Sequence, residues 1–418
     1  MIKVKVVNII PHPPAYEYIY DSERPKTIWN TPNGSWLGIW RGDWPDLLGS
    51  EILKLTKEFE YEVWRPDLRA DRIYCHRFEN GVFHKSFPAV LIKKMHGSKI
   101  VNAVSSPRML ESLENLTSKK FLMHLNTPAY WLNQEIIKKL FKIPKVIQFH
   151  SKLTTPDIEM RKLRRNIFAN ISYLRQHLNW LKNRKVYFVY NNSQNCSSLL
   201  KYNRIGIKRI FMGCDFNFWI PGKSKKFKKK FNIKEKTIVF SMASRFNSLK
   251  QIDRVIKIFT EIDKDKDYDF KFLIAGHGEV TYENYLINVA SDLIKKRKLY
   301  FLGYLLGENL LKLYQTTDFF ISASTSEGGP VSVIKAIACG IPVICTRVGG
   351  VDDIMHQYNA GIFVDRYDYD QWEEKFIEVL TGKVKVRLMD REKAKEIFHW
   401  PYIARKLINI YKKLPGVY

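Results

Sequence analysis

The chain has 418 residues, 45% of them hydrophobic, and carries 69 Lys and Arg against 42 Asp and Glu, a formal net charge of +27. That length sets an expectation of two domains with apolar residues enough for two cores, and no uninterrupted apolar run approaches the length of a membrane span. Five scattered cysteines (Cys75, Cys196, Cys214, Cys339, Cys345) show no paired spacing, which speaks against a disulfide framework or a cysteine metal site and for a reduced, cytoplasmic setting.

The elements follow in chain order. Lys3–Ile10 is a first buried strand, without the apolar core and small-residue cleavage site of a signal peptide. Segment 11–46 is rich in Pro, Gly and aromatics, with Trp29, Trp36, Trp40 and Trp44. It reads either as a packed loop or as a surface that stacks on sugar rings or a lipid-linked acceptor. Leu48–Phe59 is helical and leads into a strand at Tyr61–Trp64. Lys120–Leu125, Lys145–Phe149, Val186–Tyr190 and Arg209–Met212 are further strands, and residues near 216–236 read as the connection between domains. Within that connection, Lys223–Lys230 reads as a solvated helix face.

The second half alternates more regularly. Strands are expected at Thr237–Ser241, Phe270–Ala275, Leu299–Leu302, Asp318–Ser322 and Ile341–Thr346, with helices between them at 251–262, 282–296, 307–316 and 331–339. Alternation at this pace predicts a parallel sheet covered on both faces, with ligands bound beyond the carboxyl ends of its strands. After Trp400-Pro401 the tail carries another apolar helix pattern, with Ile403, Leu407, Ile408 and Ile410. The acids Asp263, Asp265, Asp267 and Asp269 lie between a helix and a strand, where charged turns are routine, and no metal site is expected there.

The most telling stretch is Ser322 to Gly350: a strand, a polar loop with Glu327, Gly328, Gly329 and Pro330, a short helix stopped at Gly340, then Pro342 and a strand. The glycines allow close backbone approach to a ligand. The helix start turns free N–H groups and the positive end of its dipole toward the loop, an arrangement suited to phosphate. This stretch resembles the donor-binding motif of the retaining GT-B glycosyltransferases, family 4-like and nucleotide-sugar dependent. Glu327, Gly328, Pro330, Ala336, Gly340, Pro342 and Val343 match the family pattern. Gly329 stands where an apolar residue is usual, and Lys335 stands where the family has a second Glu.

The resemblance implies an α/β fold of GT-B type, with two Rossmann-like domains facing a central cleft: residues 1–218 binding the acceptor, 219–399 binding the donor, and 400–418 crossing back onto the first domain. It also implies roles. Arg245 and Lys250, in Arg245-Phe-Asn-Ser-Leu-Lys250, grip the donor diphosphate. Glu327 bonds the donor sugar's hydroxyls, while the backbone from Gly328 through Gly329 and Pro330 to Val331 holds sugar and phosphate. Gly276 and Gly278, in Ala275-Gly-His-Gly-Glu279, either lie near the nucleobase or phosphate or form a plain turn. His150, at the end of Val146-Ile-Gln-Phe-His150, sits beneath the donor sugar at the reaction centre, and His124 shapes the cleft. Gly34, Gly38 and Gly42 are candidates for the first domain's phosphate-facing loop. Phe211 to Pro221 resembles the structural stretch before the linker.

The expected activity is retaining, metal-independent transfer of a sugar from a UDP- or GDP-type nucleotide sugar to a glycan or lipid-linked acceptor, with no cofactor, in polysaccharide or lipopolysaccharide assembly. Lys335 cannot accept hydrogen bonds from a ribose. It is left to donate to a hydroxyl, or to pair with a phosphate or with Glu327. Two alternatives therefore stay open: a lipid-phosphate sugar donor, and a non-catalytic nucleotide-sugar-binding homologue. The first 218 residues hold 35 Lys and Arg against 18 Asp and Glu. With no nucleic-acid signature in view, an anionic membrane surface met by the first domain is the expected partner, making the protein cytoplasmic and peripheral on the inner face of the membrane.

Overall fold

The structure is a computed structural model that describes residues 3–11, 44–68, 70–96, 99–127, 130–150, 185–193 and 207–417. Trp29, Trp36, Trp40, Gly34, Gly38, Gly42 and Cys196 lie outside the described residues. The chain divides into two compact units, Met1–Phe211 with Trp400–Tyr418, and Met212–His399.

The first unit holds β1 (Val4–Ile9), β2 (Phe59–Asp67), β3 (Tyr74–Arg77), β4 (Phe83–Pro88), β5 (Val90–His96), β6 (Lys99–Ser105), β7 (Phe121–Asn126), β8 (Lys145–Phe149), β9 (Val186–Tyr190) and β10 (Ile207–Arg209). Eight of these form one sheet in the order β10-β9-β8-β7-β1-β2-β4-β3, while β5 and β6 pair as a separate antiparallel ladder. Val4, Val6, Val7, Asn8 and Ile9 of β1 are all buried, the composition of a central parallel strand covered on both faces. The helix expected to run to Phe59 spans Trp44–Leu55 instead, because Phe59 is already paired with Val4 as the first residue of β2. The C-terminal helix Trp400–Lys413 buries Ile403, Ala404, Leu407, Ile408 and Tyr411 at helical spacing. These residues join Leu48 and Ile52 of the first helix and Val4, Val6, Tyr61 and Val63 of the sheet in one cluster.

The second unit holds β11 (Ile238–Ala243), β12 (Phe270–Ala275), β13 (Leu299–Phe301), β14 (Phe319–Ser322), β15 (Val343–Thr346) and β16 (Ile362–Val364). All pair parallel in the order β13-β12-β11-β14-β15-β16. The helix Ile252–Asp265 turns Ile252, Val255, Ile256, Phe259 and Ile262 onto the sheet at a 3–4 residue repeat. From β11 the chain builds outward through β12 and β13, then returns to the other side of β11 to build β14, β15 and β16. Strand order therefore reverses between β11 and β14, and loops leaving a parallel sheet at such a point diverge and leave a crevice beyond the strand ends.

Residues 216–236, read from sequence as a connection, belong to this unit. Ser224 caps a helix at Lys225–Lys230. Phe227, Phe231 and Ile233 are buried against Val239, Leu273 and Leu313. The lysines of that helix are exposed or half-exposed, as the solvated-face reading expects.

Candidate functional site

The two loops at the strand-order reversal of the second unit are tied together. After β11 the chain runs through Ser244, Arg245 and Phe246 into a tight turn at Ser248–Lys250. After β14 it runs through a polar loop into the helix Val331–Ala338. The Thr325 amide donates to the Leu249 carbonyl across these loops (2.8 Å). The Lys250 ammonium donates to Glu327 Oε1 at 2.5 Å, and Ser324 Oγ donates to the same oxygen at 2.7 Å. Both side chains of the ion pair are mostly shielded, with 20% and 13% of their surfaces exposed. Arg245 is exposed on the adjoining loop. The structure thus gathers Lys250 and Glu327 with a residue that the sequence reading passed over, Ser324.

The glutamate loop is braced from behind. Thr346 Oγ1, at the end of β15, donates to the Ser324 carbonyl (2.6 Å), and the Gly350 amide donates to the Glu327 carbonyl (3.3 Å). A Cβ on Gly350 would lie 2.7 Å from Pro330 Cδ and 3.0 Å from the Gly328 carbonyl oxygen, so only glycine lets this helix start press against the loop. The Gly349-Gly350 pair was visible in the sequence, but its loop contact was not. The Val331 amide donates to the Gly329 carbonyl (2.9 Å) and closes a turn there, so that amide is already engaged within the chain.

Gly276 and Gly278 have a definite structural task. A Cβ on Gly276 would fall 1.8 Å from the Ser244 carbonyl oxygen, and one on Gly278 2.0 Å from that of Phe246. The Phe246 amide donates to the His277 carbonyl at 2.6 Å, and the Ser244 amide to the Ala275 carbonyl at 3.1 Å. These contacts clamp both neighbours of Arg245. The geometry displays a turn here, and the turn carries the arginine. His277 Nε2 accepts from the Tyr304 amide (3.0 Å), which leaves Nδ1 to donate to Glu283 Oε1 (3.1 Å).

Lys335 departs from one of its expected arrangements. Its ammonium does not pair with Glu327; it lies 4.5 Å from the ring centre of Trp219, with Cys214 and Cys339 nearby. Among the described residues it makes no hydrogen bond or ion pair, and burial pushes its pKa down. The reason is helical geometry: position 335 sits one turn inside the helix that starts at Val331, on the side facing the Cys214–Trp219 segment. That segment is held in turn by Arg391, which donates to the carbonyls of Ala338 (2.9 Å) and Phe216 (2.5 Å). The aspartates at 263 and 267 are taken up by Lys296 and Lys298, and Asp269 accepts from Thr237.

In the first unit, His150 follows β8. Its Nε2 bonds Asn126 Oδ1 and its Nδ1 bonds Asn191 Nδ2, each at 2.8 Å. Its ring lies 5.0 Å from that of Trp44. His124 is fully buried, bonded through Nδ1 to the Tyr411 hydroxyl (2.7 Å) and through Nε2 to Gln148 Oε1 (2.8 Å). Burial lowers its pKa to about 4.

Across 99% of both chains the fold matches sucrose-phosphate synthase from Thermosynechococcus elongatus, with a TM-score of 0.71 at 15% identity. It matches the HepE protein of Anabaena, solved in complex with UDP and glucose, over 98% of this chain and 100% of that one, with a TM-score of 0.66 at 14% identity. The fold is the α/β GT-B fold of glycosyltransferases. Residues 223–397 match the family described as "Glycosyl transferases group 1". N-acetyl-alpha-D-glucosaminyl L-malate synthase from Bacillus anthracis is 24% identical over 216 residues, 52% of this chain and 55% of that protein. A GDP-mannose-dependent phosphatidylinositol monomannoside mannosyltransferase from Corynebacterium glutamicum is 27% identical over 198 residues, 45% of this chain and 50% of that protein. The chain spans about half the length of the curated relatives it matches. Among the described residues, no helix is long and apolar enough to cross a membrane.

Proposed function

We propose that this protein is a retaining glycosyltransferase that moves a sugar from a UDP- or GDP-type nucleotide sugar to a glycan or lipid-linked acceptor. The observation that carries the reading is the Lys250–Glu327–Ser324 cluster, beside the Arg245 loop, at the strand-order reversal of a unit whose residues 223–397 match a glycosyltransferase family. The departing nucleotide diphosphate gains negative charge, and a pre-placed Arg fork and Lys ammonium stabilise that charge. In this reading they do so without a resident metal. As the diphosphate draws Lys250 toward itself, the Glu327 carboxylate becomes available to the hydroxyls of the donor sugar. HepE, solved with UDP-glucose, and the GDP-mannose-dependent relative support the choice of donor class. The acceptor's proton passes to the leaving phosphate on the same face of the sugar, so the anomeric configuration is kept.

Lys335 supports a second reading. With a cation where the resembled family has an acceptor for ribose, a lipid-phosphate sugar is the alternative donor. One experiment separates the two. Thermal shift and hydrolysis of UDP-, GDP- and ADP-sugars, with and without glycan acceptors, should show stabilisation and slow turnover by a UDP- or GDP-sugar. Neither effect with any nucleotide sugar refutes the first reading, and stabilisation without turnover marks a non-catalytic homologue. The anionic-surface partner is tested separately by sedimentation with vesicles of phosphatidylglycerol against phosphatidylcholine.

A further inference from the structure

We infer that a directed circuit of side chains in the first unit fixes His150 as its Nε2–H tautomer, with Asn126 and Asn191 as its immediate positioning residues and Tyr411 as a remote one.

The circuit stands on one face of the sheet. Asn8 pairs with His124 and Asn126 with Gln148 in the strand registers. Side chains two apart on a strand share a face, so His124 and Asn126, and likewise Gln148 and His150, point the same way. Their neighbours Met123, Leu125, Ile147 and Phe149 fill the opposite core. The polar face is covered by the C-terminal helix, which brings in Tyr411.

The direction of the bonds follows from one fixed point. Asn126 Nδ2 donates to the Ile9 carbonyl (3.0 Å), an oxygen that can only accept. Asn126 is thereby oriented with Oδ1 toward His150, and His150 Nε2 must carry the proton of that bond. The same amide donates to Asn8 Oδ1 (2.5 Å), and Asn8 donates to the Tyr61 hydroxyl (2.6 Å). On the other side of the imidazole, Asn191 Nδ2 donates to a bare Nδ1. Asn191 Oδ1 accepts from Gln148 Nε2 (2.9 Å), and Gln148 Oε1 accepts from His124 Nε2. His124 Nδ1 then accepts the Tyr411 hydroxyl proton. The Tyr61 and Tyr411 hydroxyls lie near one another in the same core. From Tyr411 through His124, Gln148, Asn191, His150, Asn126 and Asn8 to Tyr61 every donor points the same way, so each bond polarises the next, and a reversed proton on His150 would set two donors or two acceptors face to face. A histidine tautomer is set by the partner of its other nitrogen. Here both partners agree, and each is held by a further bond.

For catalysis this inference rests on the proposed function: a His150 so held meets the donor sugar as an uncharged, oriented ring and not as a proton shuttle. The test reads the tautomer directly. Full-length protein labelled with 15N-histidine is examined by NMR at neutral pH without substrate, His150 being assigned by loss of its signals in His150→Gln. The expected result is a protonated Nε2 and an unprotonated Nδ1; an Nδ1–H tautomer or a doubly protonated ring overturns the inference. Asn191→Asp, nearly isosteric, replaces the donor at Nδ1 by an acceptor and should protonate Nδ1. Tyr411→Phe, four hydrogen bonds away, should broaden the Nδ1 signal as the Gln148 and Asn191 amides begin to turn. Wild-type His150 signals in Asn191→Asp refute the local claim, and wild-type signals in Tyr411→Phe refute the circuit. In turnover, Asn191→Asp should lower kcat about 10-fold with donor KM within about twofold, the split expected of lost orientation. If the wild-type protein turns over no nucleotide sugar, the proposed function fails while the NMR result still decides the tautomer.

Discussion

Replacing Gly278 by alanine tests the claim that the glycine turn after β12 exists to hold the arginine loop. Gly278 does not have a positive φ, so the substitution brings no backbone strain of its own; its cost is crowding. The new Cβ would lie 2.0 Å from the Phe246 carbonyl oxygen and 2.7 Å from Phe246 Cβ, where real Cβ contacts begin near 3.0 Å. The Phe246 backbone must therefore retreat by about 1 Å, a shift on the scale that overpacking forces on a core. It resists, because its amide is bonded to His277 at 2.6 Å and its side chain is 5% exposed against Phe301. Overpacking of this kind costs about 1–3 kcal/mol. For a unit of this size that lowers the melting temperature by roughly 2–12 °C. Differential scanning calorimetry measures it, with Gly307→Ala as the control: nothing lies within 4 Å of a Cβ there, and φ is +49°, so only the backbone strain of about 1 kcal/mol is felt. Gly276→Ala, with both a φ of +142° and a 1.8 Å clash, should be worse than either. A Gly278→Ala protein that melts with the wild type would show that the loop is not clamped as described.

Three further outcomes follow from the site and the circuit. Arg245→Ala should leave stability within about 0.5 kcal/mol, since the side chain is exposed, while kcat with a nucleotide sugar falls by about 10²–10³; unchanged turnover removes Arg245 from the site. Glu327→Gln keeps the shape and the Ser324 bond but loses the charge facing Lys250; about 1 kcal/mol of stability should go with it, along with most of the transfer activity. Full activity in this variant contradicts the role given to the carboxylate. His124 has a folded-state pKa of about 4 against 6.5, so between these values the unfolded chain binds a proton that the native one refuses. Stability contributed by neutral His124 is intact above pH 6.5 and declines as pH falls toward 4, by up to about 3 kcal/mol. Urea midpoints at pH 7 and pH 5 for wild type and His124→Asn measure this, and equal slopes in the two proteins would disprove it.

The second unit was far more legible in the sequence than the first, and the reason is periodicity. Its parallel strands are short apolar runs separated by amphipathic helices, so Phe270–Ala275 falls where expected and the helix beginning at Gly307 is off only at its end. The expected single helix at 282–296 is two, Val280–Val289 and Ser291–Lys295, because Ala290 leaves helical geometry at φ −88°, ψ 0°. In the first unit β3 and β4 escaped notice. β3 is the edge strand and β4 lies next to it, and runs such as His84-Lys85-Ser86 have no apolar alternation to betray them. The site divides along the same line. Arg245, Lys250 and Glu327 could be named from a local pattern. The His150 circuit could not, because it draws residues from five strands or their ends and a helix, and one of its links, His124 to Tyr411, joins residues 287 apart. The only local trace was a polar residue at every second position in His124-Leu-Asn126 and Gln148-Phe-His150.

Lys335 shows how sequence distance misleads about spatial relation. By resemblance it stands in a pair with Glu327, and its change of sign bears on the whole motif. In the fold the two residues serve different surroundings. Glu327 lies in the loop, satisfied by Lys250 and Ser324, whereas Lys335 lies on the helix under Trp219. A cation among aromatic and thiol neighbours costs free energy that a ring contact worth about 0.5–2 kcal/mol only partly offsets, so position 335 is not a neutral substitution. Its cost, however, is confined to the Trp219 side of the helix. The cation–carboxylate arrangement at Lys250 and Glu327 holds without it. A Lys335→Glu variant and a Glu327→Gln variant therefore probe separate questions: the first, which donor class the helix tolerates; the second, whether the loop carries the chemistry.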